Sequence, residues 1–378
     1  MAYLTSVSGK FREISMSRTK FIMIGGFLGA GKTTAIARLA KHYTAQGQKV
    51  GLITNDQANG LVDTQALRAQ GFHVGEVPGA CFCCKFDDLL STIDGLKKEH
   101  HPDIVITEPV GSCTDLVATV IEPLRRFHDG NYQIAPLTVL LKPEHGAKIL
   151  SGDGASGFSP QAAYIFLKQM EEADLIAINK IDKLSEDQKQ QLKRQVEQRF
   201  PDKTVTMVSG KDGTGFDRLT QTLEESSPLR KRMMDVDYQR YAEGEAELGW
   251  LNASYELTAK NQDSFSIDRV VVELMQTIRD NLLATGAEPA HLKILCQSND
   301  KFAVSNLVGS DVDVELSIAS HASVPTATLF VNARAVVTPN QLEASISDSV
   351  ATLAEVTPTR ISLQSFSPAA PVPTHRVQ

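Results

Sequence analysis

Phe21-Ile22-Met23-Ile24-Gly25-Gly26 runs straight into Phe27-Leu28-Gly29-Ala30-Gly31-Lys32-Thr33-Thr34. The first six residues are an apolar run of strand length. Gly26 to Thr33 fits GxxxxGK[ST], and helical spacing then continues from Thr33 to Gln46, ending at Gly47. Strand, glycine-rich turn and helix in that order are the context a phosphate-binding loop requires. Gly26, Gly29, Ala30 and Gly31 let backbone N–H groups face a phosphate, and the helix N-terminus favours negative charge. Lys32 is placed to neutralise the β- and γ-phosphates, Thr33 to ligate Mg²⁺, and Thr34 to line the same site.

Short apolar runs recur downstream at 49–54, 103–108, 136–141, 174–179 and 204–209. Helical segments lie between them, among them 114–127, 160–172 and 186–199. Buried strands alternating with helices predict an α/β fold, a P-loop NTPase with a mostly parallel sheet flanked by helices. The reading divides the 378 residues into five parts. Residues 1–18 form a flexible arm, 19–228 the P-loop domain, and 229–250 a charged, partly helical linker. Residues 251–366 form a small α+β domain of order β-α-β-β-β-α-β, and the proline-rich 367–378 a disordered tail.

Thirty-eight basic against 45 acidic residues leave a net charge of −7, which argues against non-specific nucleic-acid binding. No apolar run reaches the roughly 18 residues of a membrane span. The N-terminus lacks a signal-peptide core, so a cytoplasmic protein with reduced thiols and no membrane partner is expected.

Three further patterns carry chemistry. Asn179-Lys180-Ile181-Asp182 ends an apolar run. The Asp182 carboxylate can accept two hydrogen bonds from guanine, a pair adenine cannot supply. Asn179 and the Lys180 stem hold the base, and Ser209-Gly210-Lys211 brings a backbone N–H to the guanine carbonyl. Asp56 and Glu108 each end a predicted strand, where carboxylates of a parallel sheet face the ligand crevice. Either can hold Mg²⁺, and Glu108 can instead orient the attacking water. Gly111 lets the backbone approach the γ-phosphate. Cys81, Cys83 and Cys84 lie between these strand ends, and soft thiolates suit Zn²⁺ or Co²⁺. Glu76 is near enough in sequence to complete the set. The cluster reads as an open transfer site, a closed structural site or a redox pair. Cys113, two residues after Gly111, reads as a small residue near a helix start, with an approach to the same thiol site as the alternative.

GGFLGAGKTT, EVPGACFCC, Glu108 to Gly111 and NKID together resemble the CobW-like GTPases, relatives of the nickel-insertion GTPases of hydrogenase and urease maturation. The resemblance is specific over 20–225 and looser over 252–366. It implies a Mg²⁺-dependent GTPase that binds Zn²⁺ or Co²⁺ through CxCC. It implies delivery of the metal to a client metalloenzyme, or activation of that client, and nucleotide-controlled homodimerisation. No arginine finger in cis is identifiable in the sequence, so slow intrinsic hydrolysis is expected. The alternative is a GTP-gated adaptor of a cofactor-dependent enzyme, with a structural metal only. Ala80 stands where the family usually has glycine, and the family's histidine-rich tract is absent.

Overall fold

A computed structural model describes residues 18–56, 62–128, 130–150, 159–225, 233–260, 263–309 and 312–378. The expected N-terminal arm falls outside them except for Arg18. The first unit runs β1 (Thr19–Gly26), α1 (Lys32–Ala45), β2 (Val50–Asn55), α2 (Val62–Ala69), β3 (His73–Val77), α3 (Phe86–His100) and β4 (Ile104–Glu108). A π-helical turn, Val117–Ile121, leads into α4 (Glu122–Phe127). Then come β5 (Tyr132–Ile134), β6 (Thr138–Leu141), α5 (Pro143–Leu150), α6 (Pro160–Glu172) and β7 (Leu175–Ile178). After these follow α7 (Glu186–Arg199), β8 (Thr204–Met207) and α8 (Phe216–Leu223).

The strands form one sheet in the order β3-β2-β4-β1-β6-β7-β8, with β5 on the side of β1, and every pairing is parallel. The expected α/β class is observed. Alternation along β1 explains the two covering layers. Phe21 and Met23 enter one core with Phe86, Leu89 and Ile93 of α3, while Ile22 and Ile24 enter the other with Ile36, Leu39 and Tyr43 of α1. A strand covered on both faces must be apolar throughout, which is why FIMIGG shows no polar alternation.

The segment expected as a charged linker contains α9 (Tyr238–Ala246), and it is not a loose tether. Tyr241, Val236 and Met233 are buried in the first core, and Glu245 is buried against Ser112. Charge dominates the composition of 229–250, but a few large apolar side chains decide where it packs.

The second unit comprises β9 (Gly249–Ala259), β10 (Phe265–Ser266), α10 (Ile267–Ala284), β11 (Pro289–Ser298), β12 (Lys301–Leu307), β13 (Glu315–Ile318) and β14 (Ser323–Val324). It ends with β15 (Thr326–Ala335), α11 (Pro339–Ala351) and β16 (Val356–Phe366). Six strands pair antiparallel in the order β13-β12-β11-β15-β9-β16. Val271, Leu274 and Ile278 of α10 and Leu342, Ile346 and Val350 of α11 cover one face. Thr338 and Gln341 close a reciprocal capping box at the start of α11. The opposite face meets the first unit, where Leu295 and Val304 pack on Val62 and Ala66 of α2.

Residues 367–378 are a second departure from expectation. They have no regular secondary structure, yet they lie as a strap along the first unit, with Val377 buried and its N–H donated to Ala118 O at 2.9 Å. Proline removes donors and predicts an extended chain, which the strap is, but extension does not prevent packing.

Candidate functional site: a phosphate loop, a carboxylate pair and a thiol cluster

The loop between β1 and α1 has its lysine folded back, with Lys32 Nζ donating to Gly26 O at 3.0 Å. Burial holds the Lys32 pKa below its ordinary value against the opposing pull of Glu108. Gly31 adopts φ 88°, and a Cβ there would stand 2.6 Å from Asn179 Nδ2. Only glycine therefore lets the loop lie against the end of β7. Asn179 joins two loops at once, donating to Ala30 O at 2.8 Å and accepting from Gly210 N–H at 2.9 Å. Ser209 Oγ donates to Asp182 at 2.8 Å. Arg38 of α1 donates to the carbonyls of Gly210 and Lys211, at 2.9 and 2.6 Å. Burial, then Lys142 and Lys183, lower the Lys180 pKa to about 8. The NKID and SGK stretches thus lie against the phosphate loop, at one cleft.

Thr33 Oγ1 lies 3.1 Å from Glu108 Oε1, at the end of β4. Its second carboxylate partner is Asp63 of α2, at 2.5 Å. Asp56 sits elsewhere. Both of its oxygens face Arg334 of β15, at 3.0 and 2.8 Å, and Asn252 Nδ2 donates to it at 3.0 Å. The strand-end rule offered Asp56 or Glu108 for the metal; Glu108 stands beside Thr33 and Asp56 does not, and the second carboxylate there comes from the helix after β2, a placement that only the fold supplies. Glu108 Oε2 is buried with no hydrogen-bond partner among the described residues. Burial, then Asp63, raises the Glu108 pKa to about 7. Burial also opposes the Asp63 charge, but the ammonium of Lys293 overcomes it and holds that carboxyl below its ordinary pKa.

Cys81, Cys83 and Cys84 follow β3. Their sulfurs lie 2.8 Å (81 to 83), 3.4 Å (81 to 84) and 3.6 Å (83 to 84) apart. Among the described residues, these three form the group of three or more His, Cys, Asp or Glu side chains close enough to share an ion, and Glu76 is not in it. Glu76 stands in register with Thr54 on the sheet, before the turn that carries the thiols away from it. Cys113 is more than a small residue near a helix start. Buried in the same core as Cys81 and Cys83, it is the first cause, ahead of Cys83 and Cys84, holding the Cys81 thiol well below its usual pKa. Asn55, at the end of β2, pins this loop by donating to Val77 O and Ala80 O, both at 2.7 Å, and accepting from Phe82 N–H at 2.8 Å.

Residues 20–207 match the CobW/HypB/UreG nucleotide-binding domain. That family is where this chain belongs. Zinc chaperone CobW of Sinorhizobium sp is 29% identical over 222 residues, covering 50% of this chain and 58% of its own. Zinc chaperone YeiR of Escherichia coli K12 is 29% identical over 197 residues, covering 50% and 54%. The chain therefore spans a little over half the length of these curated relatives. Zn(II)-bound YjiA GTPase from E. coli is a structural neighbour, 14% identical, with a TM-score of 0.38 over 88% of this chain and 99% of that one.

In this CobW/HypB/UreG domain, one short segment serves both sites. Glu108 touches Thr33, a Cβ on Gly111 would stand 3.2 Å from Lys32 Nζ, and Cys113 is buried in the core that holds Cys81. Gln169 of α6 fixes the segment through Gly111 O and Cys113 O, at 3.0 and 2.9 Å. The strap crosses the thiol loop. Thr374 donates its N–H to Cys83 O at 2.8 Å and its hydroxyl to Cys84 O at 3.0 Å, and Val372 N–H donates to Cys84 Sγ at 3.2 Å. Arg376 anchors the end on Asp115 at 2.7 Å. The nucleotide-binding cleft is a cavity of about 950 Å³ lined from both units, by Lys32, Asp182 and Lys211 on one side and Lys293, Asn306 and Arg334 on the other. Asp63, Lys293 and Arg334 are the functional candidates that sequence reasoning left out. Only Asp63 carried a local signal, lying within a few residues of the strand-end Asp56.

Proposed function

We propose that the chain is a Mg²⁺-dependent GTPase that binds Zn²⁺ or Co²⁺ at Cys81, Cys83 and Cys84 and delivers it to a client metalloenzyme. The observation that carries this reading is the 108–113 segment, which brings Glu108 to Thr33, Gly111 to Lys32 and Cys113 into the core that holds Cys81 and Cys83, within six residues. A ligand that moves Glu108 or Gly111 therefore acts on the segment that carries Cys113 into that core. Two relatives named as zinc chaperones support the cargo.

The chain's own residues divide the work as follows. The loop from Gly26 to Thr34 cradles the phosphates, with Lys32 released from Gly26 O to meet them. Asn179, Lys180, Asp182 and the Ser209–Lys211 turn select guanine. Thr33, Asp63 and Glu108 are hard oxygen donors and would hold Mg²⁺, and the unpartnered Glu108 Oε2 fits that role. Bound there, Mg²⁺ neutralises charge on the phosphates. Glu108 is also placed to orient a water. No helix among the described residues is long and apolar enough to cross a membrane, and we place the protein in the cytoplasm. A nucleotide-dependent homodimer belongs to the same proposal.

The test is Zn²⁺ and Co²⁺ affinity by chelator competition, in saturating Mg²⁺·GTP analogue and again in Mg²⁺·GDP. A difference of about tenfold or more, ~1.4 kcal/mol of coupling, supports the chaperone reading. Equal affinities reject it. One observation favours the GTP-gated adaptor instead. The strap lies on the thiol loop, with Val372 N–H on Cys84 Sγ, so the cluster has a feature of a closed structural site. Tight metal in every nucleotide state is the result that reading requires.

A further inference from the structure

Two lysines reach the phosphate end of the cleft, and the P-loop accounts for one of them. Lys32 is held by Gly26 O. Lys293 comes from β11 of the second unit, 260 residues from Thr33, and donates to Thr33 Oγ1 at 3.2 Å. It also closes an ion pair with Asp63, in which neither side chain is more than 16% exposed. Its ammonium thus lies on the hydroxyl and one of the carboxylates that a divalent cation at this site would need.

These oxygens cannot serve both cations. Mg²⁺ demands ligand oxygens at about 2.0–2.1 Å in near-octahedral order. An ammonium on two of them blocks that geometry, and a second positive charge a few ångströms away is repelled strongly in a buried site. Resting on the GTPase reading, we infer that Lys293 is a tethered counter-ion. It holds the magnesium position in the nucleotide-free protein and leaves it when Mg²⁺ and nucleotide bind. Its departure is transmitted to the second unit along the face that also packs on α2. There Leu295 and Val304 meet Val62 and Ala66, and Val62 N–H donates to Asn332 Oδ1 at 2.6 Å. The antiparallel sheet thereby senses whether the cation site is filled. The partner it reads is a divalent cation, and the sensing residue lies outside the matched domain.

The test compares the wild-type chain with Lys293→Met, which keeps the stem and removes the charge. The first readout is the thermal midpoint with MgCl₂ and no nucleotide. Wild type should shift little, because its site already holds a cation, and the variant should be stabilised. The second readout is the Mg²⁺ concentration that half-saturates binding of a fluorescent GDP analogue, expected to fall at least about tenfold in the variant. Unchanged Mg²⁺ dependence in both readouts overturns the inference. So does a loss of nucleotide affinity at saturating Mg²⁺, which would make Lys293 a phosphate ligand that stays in place. If the variant does not fold, the wild type still decides. Amine labelling of Lys293, read by mass spectrometry, should rise on adding Mg²⁺ and GDP, and unchanged labelling overturns the inference. A wild type that binds no guanine nucleotide defeats the GTPase reading alone, since the Mg²⁺-only thermal shift remains readable.

Discussion

Arg334 of β15 grips both carboxylate oxygens of Asp56 at the end of β2, at 3.0 and 2.8 Å, with each side chain about 95% buried. This pair joins the antiparallel sheet to the strand whose next residue back, Asn55, holds the thiol loop. Removing one partner leaves a buried charge unpaired, which costs far more than the pair contributes. Arg334→Met should therefore destabilise the protein by about 3–5 kcal/mol. Adding Asp56→Asn should recover at least half of that. Urea unfolding followed by circular dichroism measures both. No recovery in the double variant would show that Arg334 acts through packing rather than through Asp56.

The raised Glu108 pKa, about 7, predicts how magnesium binding depends on pH. The carboxyl keeps its proton to higher pH in the folded protein than in the unfolded chain. Its contribution to folding stability is thus full below the ordinary carboxylate range and falls as pH rises toward 7. A divalent cation needs the ionised form, so the trend in affinity is opposite. Half-saturating Mg²⁺ should be about tenfold higher at pH 6 than at pH 8. Glu108→Gln should bind Mg²⁺ weakly and lose this slope. A flat profile in the wild type would remove Glu108 from the cation site.

Asp182 is held by Ser209 at 2.8 Å, with its charge facing the cleft between NKID and the phosphate loop. Asp182→Asn replaces one acceptor with a donor. GTP affinity should drop by about 10²–10⁴-fold, as at other sites built on paired hydrogen bonds. Displacement of a fluorescent GDP analogue by GTP, ATP and xanthosine triphosphate reads it. Equal displacement by GTP and ATP in the wild type would show that the cleft does not read the base through Asp182.

The strap predicts a controlled thiol. Cys84 is partly exposed, and it accepts a hydrogen bond from Val372 while Thr374 binds its carbonyl. Removing residues 371–378 should speed the reaction of Cys84 with Ellman's reagent several-fold. Nucleotide binding should stay unchanged, because no described residue of the strap lines the cleft. An unaltered thiol rate would mean that the strap lies on the loop without shielding it.

The fold and most of the nucleotide site were legible because their signals are local. GxxxxGKT, NKID and SGK each occupy fewer than nine residues, and the surrounding runs have the period of their elements. Helices 160–172 and 186–199 appear with the expected bounds, since Ser159 and Ser185 mark their starts with side-chain caps. What stayed hidden is non-local. Lys293 meets Asp63 across 230 residues, and Arg334 meets Asp56 across 278. No pattern within a window encodes such pairs. Asp56 drew attention because it ends a strand, and Asp63 escaped it because it sits inside a helix. Composition misled twice, at the charged 229–250 and the proline-rich tail. In both, a few residues such as Tyr241 and Val377 outweigh the average.

Trp250 is the single tryptophan in the chain. It is 1% exposed at the root of the second unit, and the Arg334 guanidinium lies 4.1 Å from the centre of its ring. A cation over an indole alters its emission, and so does any loss of shelter from water. The molecule therefore carries its own optical gauge where the two units join, with no second tryptophan elsewhere. Titrating nucleotide or metal into the unlabelled protein under a fluorimeter would show directly whether the two halves part.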